Sequence, residues 1–140
     1  MMKFLAAIAI LTMTAAVHGA PAWTLTDPVA YDAETGLYWR RCPSGSSLES
    51  NGLCNAPYYY DRKKSLELEN DGWRLPSADE LSKVLKFNYQ IYDSGKRAFP
   101  QTRGSGWFRT TTSSIVSYSG KIDSGYDFNE YEVILVKGKK

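Results

Sequence analysis

A single domain of mixed helix and strand is what this 140-residue chain predicts, and three stretches carry that expectation. Gly72-Trp73-Arg74-Leu75-Pro76-Ser77-Ala78-Asp79-Glu80-Leu81 joins an extended segment to a helix start. Asp32-Ala33-Glu34-Thr35-Gly36-Leu37 is a turn between two strand-like runs, the pattern of a hairpin. Tyr131-Glu132-Val133-Ile134-Leu135-Val136 is apolar on both faces, which predicts a central strand.

The first stretch is the most informative. Trp73 and Leu75 are two residues apart, so an extended backbone turns them to one face and Arg74 to the other. Pro76 ends the strand. Ser77 is placed as an N-cap whose hydroxyl accepts from the Glu80 N–H while the Glu80 carboxylate returns to the Ser77 N–H, a capping box. Asp79 and Glu80 in the first turn favour the positive end of the helix dipole, and Leu81, Val84 and Leu85 follow at helical spacing.

Length and a formal net charge of +2 allow one ordinary domain with a core. Lys3 precedes an apolar run from Phe4 to Val17, with cleavage sites at Val17-His18-Gly19 or Ala20-Pro21-Ala22. That is the pattern of a signal peptide over residues 1–22, leaving a domain at 23–140, with an uncleaved membrane anchor as the lesser reading. The run is shorter than the roughly 20 residues that cross a bilayer, so no transmembrane segment is expected after cleavage. His18 is the only histidine and Met1, Met2 and Met13 the only methionines, so the mature chain would contain neither. Without histidine it lacks the usual neutral-pH acid/base group and a common metal ligand, which disfavours catalysis and leaves no cofactor to expect. Cys42 and Cys54 are the only cysteines; in an exported chain they read as a disulfide closing a short loop, worth about 3 kcal/mol in the chain-entropy model.

Along the chain, Trp23 to Asp32 reads as an extended segment, with Pro28 suggesting a sheet edge. Asp32 and Glu34 fit a turn-forming Asp beside a solvated Glu better than a calcium site. Residues 43–57, rich in Ser, Gly, Asn and Pro, predict a surface loop pinned by the cysteines. Asp61 caps an expected short helix reaching Asn70, with Asp71-Gly72 as its stop. Asn88 to Gly106 reads as a long loop. Gly106 to Thr112 is β-branched and aromatic, a strand that Ile115 to Tyr118 either continues or follows with another.

The order and spacing of Asp32 to Trp39, Cys42, Cys54, Trp73 to Leu81, Phe99-Pro100 and Trp107 resemble the DUF1566 family, the C-terminal domain of the Legionella collagen-like adhesin. The Arg-Leu-Pro-Ser run is also similar to one in the formylglycine-generating-enzyme and C-type-lectin-like group. The resemblance implies an α+β, C-type-lectin-like domain, with one or two helices on a twisted, mainly antiparallel sheet. It implies binding rather than turnover, in a protein of the periplasm or cell surface. Formylglycine-generating enzymes rely on additional reactive cysteines, whereas Cys42 and Cys54 are committed to a short loop. Calcium-dependent lectins use a Trp-Asn-Asp run that this chain lacks; Asp123, Asp127, Asn129 and Glu130 read as an acidic, turn-rich surface.

From Lys83 to Lys121 the chain carries Lys83, Lys86, Lys96, Arg97, Arg103, Arg109 and Lys121 against Asp93. Interleaved with aromatic residues, this pattern suits anionic polymers such as sulfated glycans, and equally suits a solvated face. The binding candidates are Tyr89, Tyr92, Lys96, Arg97, Arg103 and Arg109, with Trp39, Trp73 and Trp107 assigned to the core. Lys137, Lys139 and Lys140 extend the face or form a solvated tail. Two functions fit: a non-catalytic exported module, in adhesion or as an accessory of a surface appendage such as a type IV pilus, with a protein partner of the cell envelope or an anionic glycan; or a small periplasmic inhibitor or immunity protein. Nucleic acid inside the cell is not an expected partner. An enzyme built on Asp79 and Glu80 is disfavoured, because capping accounts for both.

Overall fold

The computed structural model describes residues 23–102 and 104–138. The expected signal segment, Arg103, Lys139 and Lys140 lie outside the described residues. The architecture is α+β: two helices packed with two mostly antiparallel sheets and one disulfide.

The expected hairpin is formed by β2 (Val29–Asp32) and β3 (Leu37–Arg40), with Asp32 opposite Leu37. Asp32 makes the turn, its carboxylate accepting from the Glu34 N–H at 3.0 Å and the Thr35 hydroxyl at 2.8 Å. Gly36 takes φ 73°, a conformation that favours glycine. β1 (Trp23–Leu25) pairs with β2 at the sheet edge, and Pro28 sits in the connection between them, where no ladder N–H is needed.

The capped stretch folds as read. β4 (Trp73–Arg74) leads into α2 (Ala78–Gln90), and both halves of the capping box are present. The Glu80 carboxylate also takes a two-pronged bond from Arg74, at 2.9 and 2.9 Å, which the sequence reading did not pair. The hydrogen bond from Arg74, foremost, holds the Glu80 pKa below the ordinary carboxylate value. The earlier helix, α1 (Arg62–Glu67), is capped by Asp61 as expected but stops short of Asn70. Asp71 at φ 53° and Gly72 at φ 84° turn the chain out of the helical region and into β4.

β5 (Trp107–Arg109), β6 (Ser114–Ser117) and β7 (Ile122–Ser124) form the second sheet. The 106–112 strand is shorter than expected because Thr110 donates its hydroxyl to the Ser114 carbonyl at 2.6 Å and closes a turn, so β6 is a separate strand. The last strand is also shorter: β8 (Val136–Lys137) lies between β3 and β4, an interior position one in from the edge of the five-stranded order β1-β2-β3-β8-β4. Just before it, Tyr131 bridges Tyr60 and Glu132 bridges Phe108, so the segment changes partners and makes no continuous ladder. Its two-sided burial is nonetheless real. Ile134 and Val136 enter the main core with Trp39, Leu81, Leu85, Phe99 and Phe108, while Val133 and Leu135 join Leu75 in a second cluster. Trp39 is fully buried, whereas Trp73 and Trp107 are half-buried.

Candidate functional site

The long loop expected from Asn88 begins later, because α2 runs to Gln90 and buries Asn88. The Asn88 side chain works like a strand partner: its amide donates to the Phe99 carbonyl at 3.0 Å and its oxygen accepts from the Phe99 N–H at 2.9 Å. This pair folds residues 91–99 back on the helix, and Phe99 fills the core edge-on against Trp23 and Trp39. An isolated asparagine in a helix carries no sequence signal of such a role.

Gly120 fixes the other side of the site. The Ser82 hydroxyl donates to the Gly120 carbonyl at 2.6 Å, and a Cβ at Gly120 would lie 2.7 Å from the Lys86 backbone nitrogen. The turn between β6 and β7 is therefore seated on the middle of α2 at Lys86, and Lys121 is the next residue of that turn. Tyr89, one turn beyond Lys86, packs edge-on against Tyr118 at 6.3 Å. Burial raises the Tyr118 pKa, and its hydroxyl donates to the Phe99 carbonyl at 2.8 Å.

The sequence candidates divide accordingly. Tyr89 is 56% exposed on α2. Tyr92 is fully exposed, and Lys96 is exposed in the 3-10 turn Ser94–Lys96 that Asp93 caps. Arg97 is half-buried, its Nε–H donating to the Ile91 carbonyl at 2.9 Å, so part of its fork holds the loop. Arg103 lies outside the described residues. Arg109 is a correction: it is wholly buried and belongs to the interior, because its guanidinium donates to the Tyr126 and Asn129 carbonyls at 3.2 and 2.6 Å. Lys83, Lys86 and Lys121, counted in the basic stretch, are exposed; Lys83 lies 3.7 Å from Glu34.

Cys42 and Cys54 form the disulfide, 12 residues apart. Two open clefts of about 500 and 490 Å³ flank that loop, the larger reaching Arg40, Tyr60 and Leu135 and the smaller lined by Glu49, Asn51 and Gln101. Neither is lined by a residue of the α2 face. Burial, then Tyr58, raises the Tyr60 pKa. The acidic group splits into local roles: Asp123 accepts from the Ser124 N–H at 2.7 Å, Asp127 lies 3.7 Å from Arg62, and Asn129 donates to the Tyr131 hydroxyl at 3.4 Å. Among the described residues no group of three or more His, Cys, Asp and Glu side chains is gathered as metal ligands would be. Among those residues no helix is long and apolar enough to cross a membrane.

Sequence reasoning passed over Tyr126 and Phe128, 70% and 95% exposed on the turn before the final strand. Aromatic residues spaced by acids in a Gly/Asn turn were the available signal. A family model, the Lcl C-terminal domain, matches residues 28–137. No curated protein and no solved structure matches the chain.

Proposed function

Because the chain belongs to the Lcl C-terminal domain family, an adhesin-related lineage, we propose that it is an exported, non-catalytic binding module that holds anionic polymers, sulfated glycans foremost, on the face built by α2 and the β6–β7 turn. The observation that carries this reading is the seating of Gly120 on Ser82 and Lys86 of α2, with Tyr118 packed on Tyr89, which brings the turn that carries Lys121 onto the helix although the sequence separates them widely. The tyrosine offers a flat apolar surface to a sugar ring, and the lysines offer point charges to sulfate or carboxylate. Lys83 adds a cation one turn earlier on the helix, and Lys96 adds one beyond its end. We read this face as one for a polymer rather than a small substrate, since Lys86, Tyr89, Lys96 and Lys121 are exposed on it and neither of the two clefts beside the disulfide loop includes it.

The test is heparin chromatography of the wild type and of the triple variant Lys86→Glu, Lys96→Glu, Lys121→Glu. All three positions are exposed, so the variant is expected to keep its circular dichroism spectrum. The wild type is expected to be retained and released by salt, and the variant to elute in the flow-through. Equal retention of a folded variant would refute the assignment of this face.

A further inference from the structure

We infer that the turn at residues 125–130 is a rigid contact tip for a second protein, one that offers an apolar pocket with a basic rim. Tyr126 and Phe128 hold their rings in solvent on this turn. A single exposed aromatic residue needs no explanation, but two on one turn coincide here with a costly internal support. That support is Arg109, whose guanidinium is wholly buried and makes no ion pair among the described residues. Its side-chain hydrogen bonds go to two carbonyls of the turn, Tyr126 and Asn129, while Nε and Nη1 find no acceptor among the described residues. It stacks 4.9 Å from the Tyr131 ring centre, and burial lowers its pKa, a sign of the desolvation cost of this placement.

Other bonds fix the same turn. The Arg62 N–H donates to the Asp127 carbonyl at 3.0 Å, the Asn129 N–H to the Tyr126 carbonyl at 3.2 Å, and the Gly125 N–H to the Ser113 carbonyl at 2.9 Å. A Cβ at Gly125 would lie 2.8 Å from the Ser113 carbonyl oxygen, so the base of the turn is closely packed. A buried arginine spent on holding a solvent-exposed turn acts as a positioning residue for what the turn displays. Rigid presentation removes ordering cost from association, and exposed aromatic side chains that enter a partner pocket are the usual hot spots.

Charge selects the partner. Between Ile122 and Tyr131 the chain carries Asp123, Asp127 and Glu130 and no lysine or arginine; Arg62, from α1, pairs with Asp127, which leaves Asp123 and Glu130 as the carboxylates without an ion pair among the described residues. An acidic collar around apolar rings complements a basic rim around an apolar pocket, and it repels an anionic polymer or an anionic membrane. The tip lies at the far end of β7 from Lys121, so it is a separate surface from the α2 face.

The experiment replaces Phe128 with p-benzoylphenylalanine in the full chain, irradiates cells that make the protein natively, and maps adducts by mass spectrometry. The expected result is a discrete protein adduct whose linked residues are apolar and neighbour Lys or Arg. With that partner purified, Phe128→Ser is expected to weaken binding about tenfold or more, the size of a truncated hot spot. Arg109→Lys, which keeps the charge but loses the planar fork, is expected to weaken it with Phe128 still in place, while binding of the wild type falls as salt rises. Absence of an adduct, adducts confined to lipid, glycan or another copy of this chain, or unchanged affinity for Phe128→Ser would overturn the inference. None of these outcomes bears on the α2 face.

Discussion

Replacing Glu132 tests how the domain holds its second sheet. The carboxylate is wholly buried, and its oxygens accept from the Gly106 N–H at 2.7 Å, the Ser105 hydroxyl at 3.1 Å and the Thr102 hydroxyl at 3.1 Å. Gly104 packs so closely on this carboxylate that a Cβ there would collide with it. Glu132→Ala removes both acceptor oxygens and with them all three hydrogen bonds. The hydroxyls of exposed Ser105 and half-buried Thr102 can turn to water, whereas the Gly106 N–H cannot reorient, and an unsatisfied donor of that kind costs about 1–3 kcal/mol. Lost packing adds a further ~1 kcal/mol, and relief of the buried charge offsets part of the total. The expected loss is about 2–3 kcal/mol, read as a lower urea midpoint at unchanged slope.

The pH dependence gives a second readout. Burial, foremost, raises the Glu132 pKa above its ordinary value, so the folded state binds this proton more tightly than the unfolded chain. The resulting stability is fully present below the unfolded pKa and is lost as pH rises through the folded pKa. Glu132→Gln keeps an oxygen for Gly106 and Ser105 while removing the titration, so its stability should lack the loss that the wild type shows as pH rises above the unfolded carboxylate value. A Glu132→Ala protein within 0.5 kcal/mol of wild type, or a Glu132→Gln protein with the wild-type pH profile, would refute the reasoning.

Three further outcomes are expected. Ser77→Ala should destabilise the domain by about 0.5–2 kcal/mol through loss of the α2 cap, and an unchanged denaturation midpoint would place the helix start elsewhere. Glu80 titrates with the opposite sign to Glu132: Arg74 lowers its folded pKa, so its contribution is present above the unfolded value and lost as pH falls through the folded one. Glu80→Gln should therefore flatten the acid limb of the stability curve, and an acid limb identical to wild type would contradict the role of the Arg74 pair. Reduction of Cys42–Cys54 should add two thiols to the intact mass count and lower the unfolding midpoint by about 2–4 kcal/mol of stability, and equal midpoints with and without reductant would mean the link does not brace its loop.

The features most legible in the sequence were those in which local chemistry and tertiary contact agree. Asp32, Thr35 and Gly36 make the turn they announce, and Leu37 and Trp39 then point inward. Ser77 and Glu80 close the box that their spacing requires, and Trp73 and Leu75 share the second cluster. These residues carry much of the family resemblance, and each has a structural task, which is why the resemblance located the fold better than the ligand. Arg109 shows the limit. In the sequence it is another cation in a basic stretch, and only the return of residues 125–131 beside β5 makes it an interior support. Asn88 and Gly120 are similar, since their roles depend on contacts with Phe99 and Lys86 that no local periodicity encodes.

The most direct test of the binding face is an NMR titration of the isotope-labelled protein with a size-defined heparin oligosaccharide, following backbone amide shifts at low and physiological salt. The account predicts that the shifts concentrate on Lys86, Tyr89 and Tyr118 to Lys121, with Lys83 and Lys96 at the margins, and that they shrink as salt rises. Shifts that cluster around Tyr126 and Phe128 or in the clefts beside the disulfide loop, or no shifts at low salt, would contradict it.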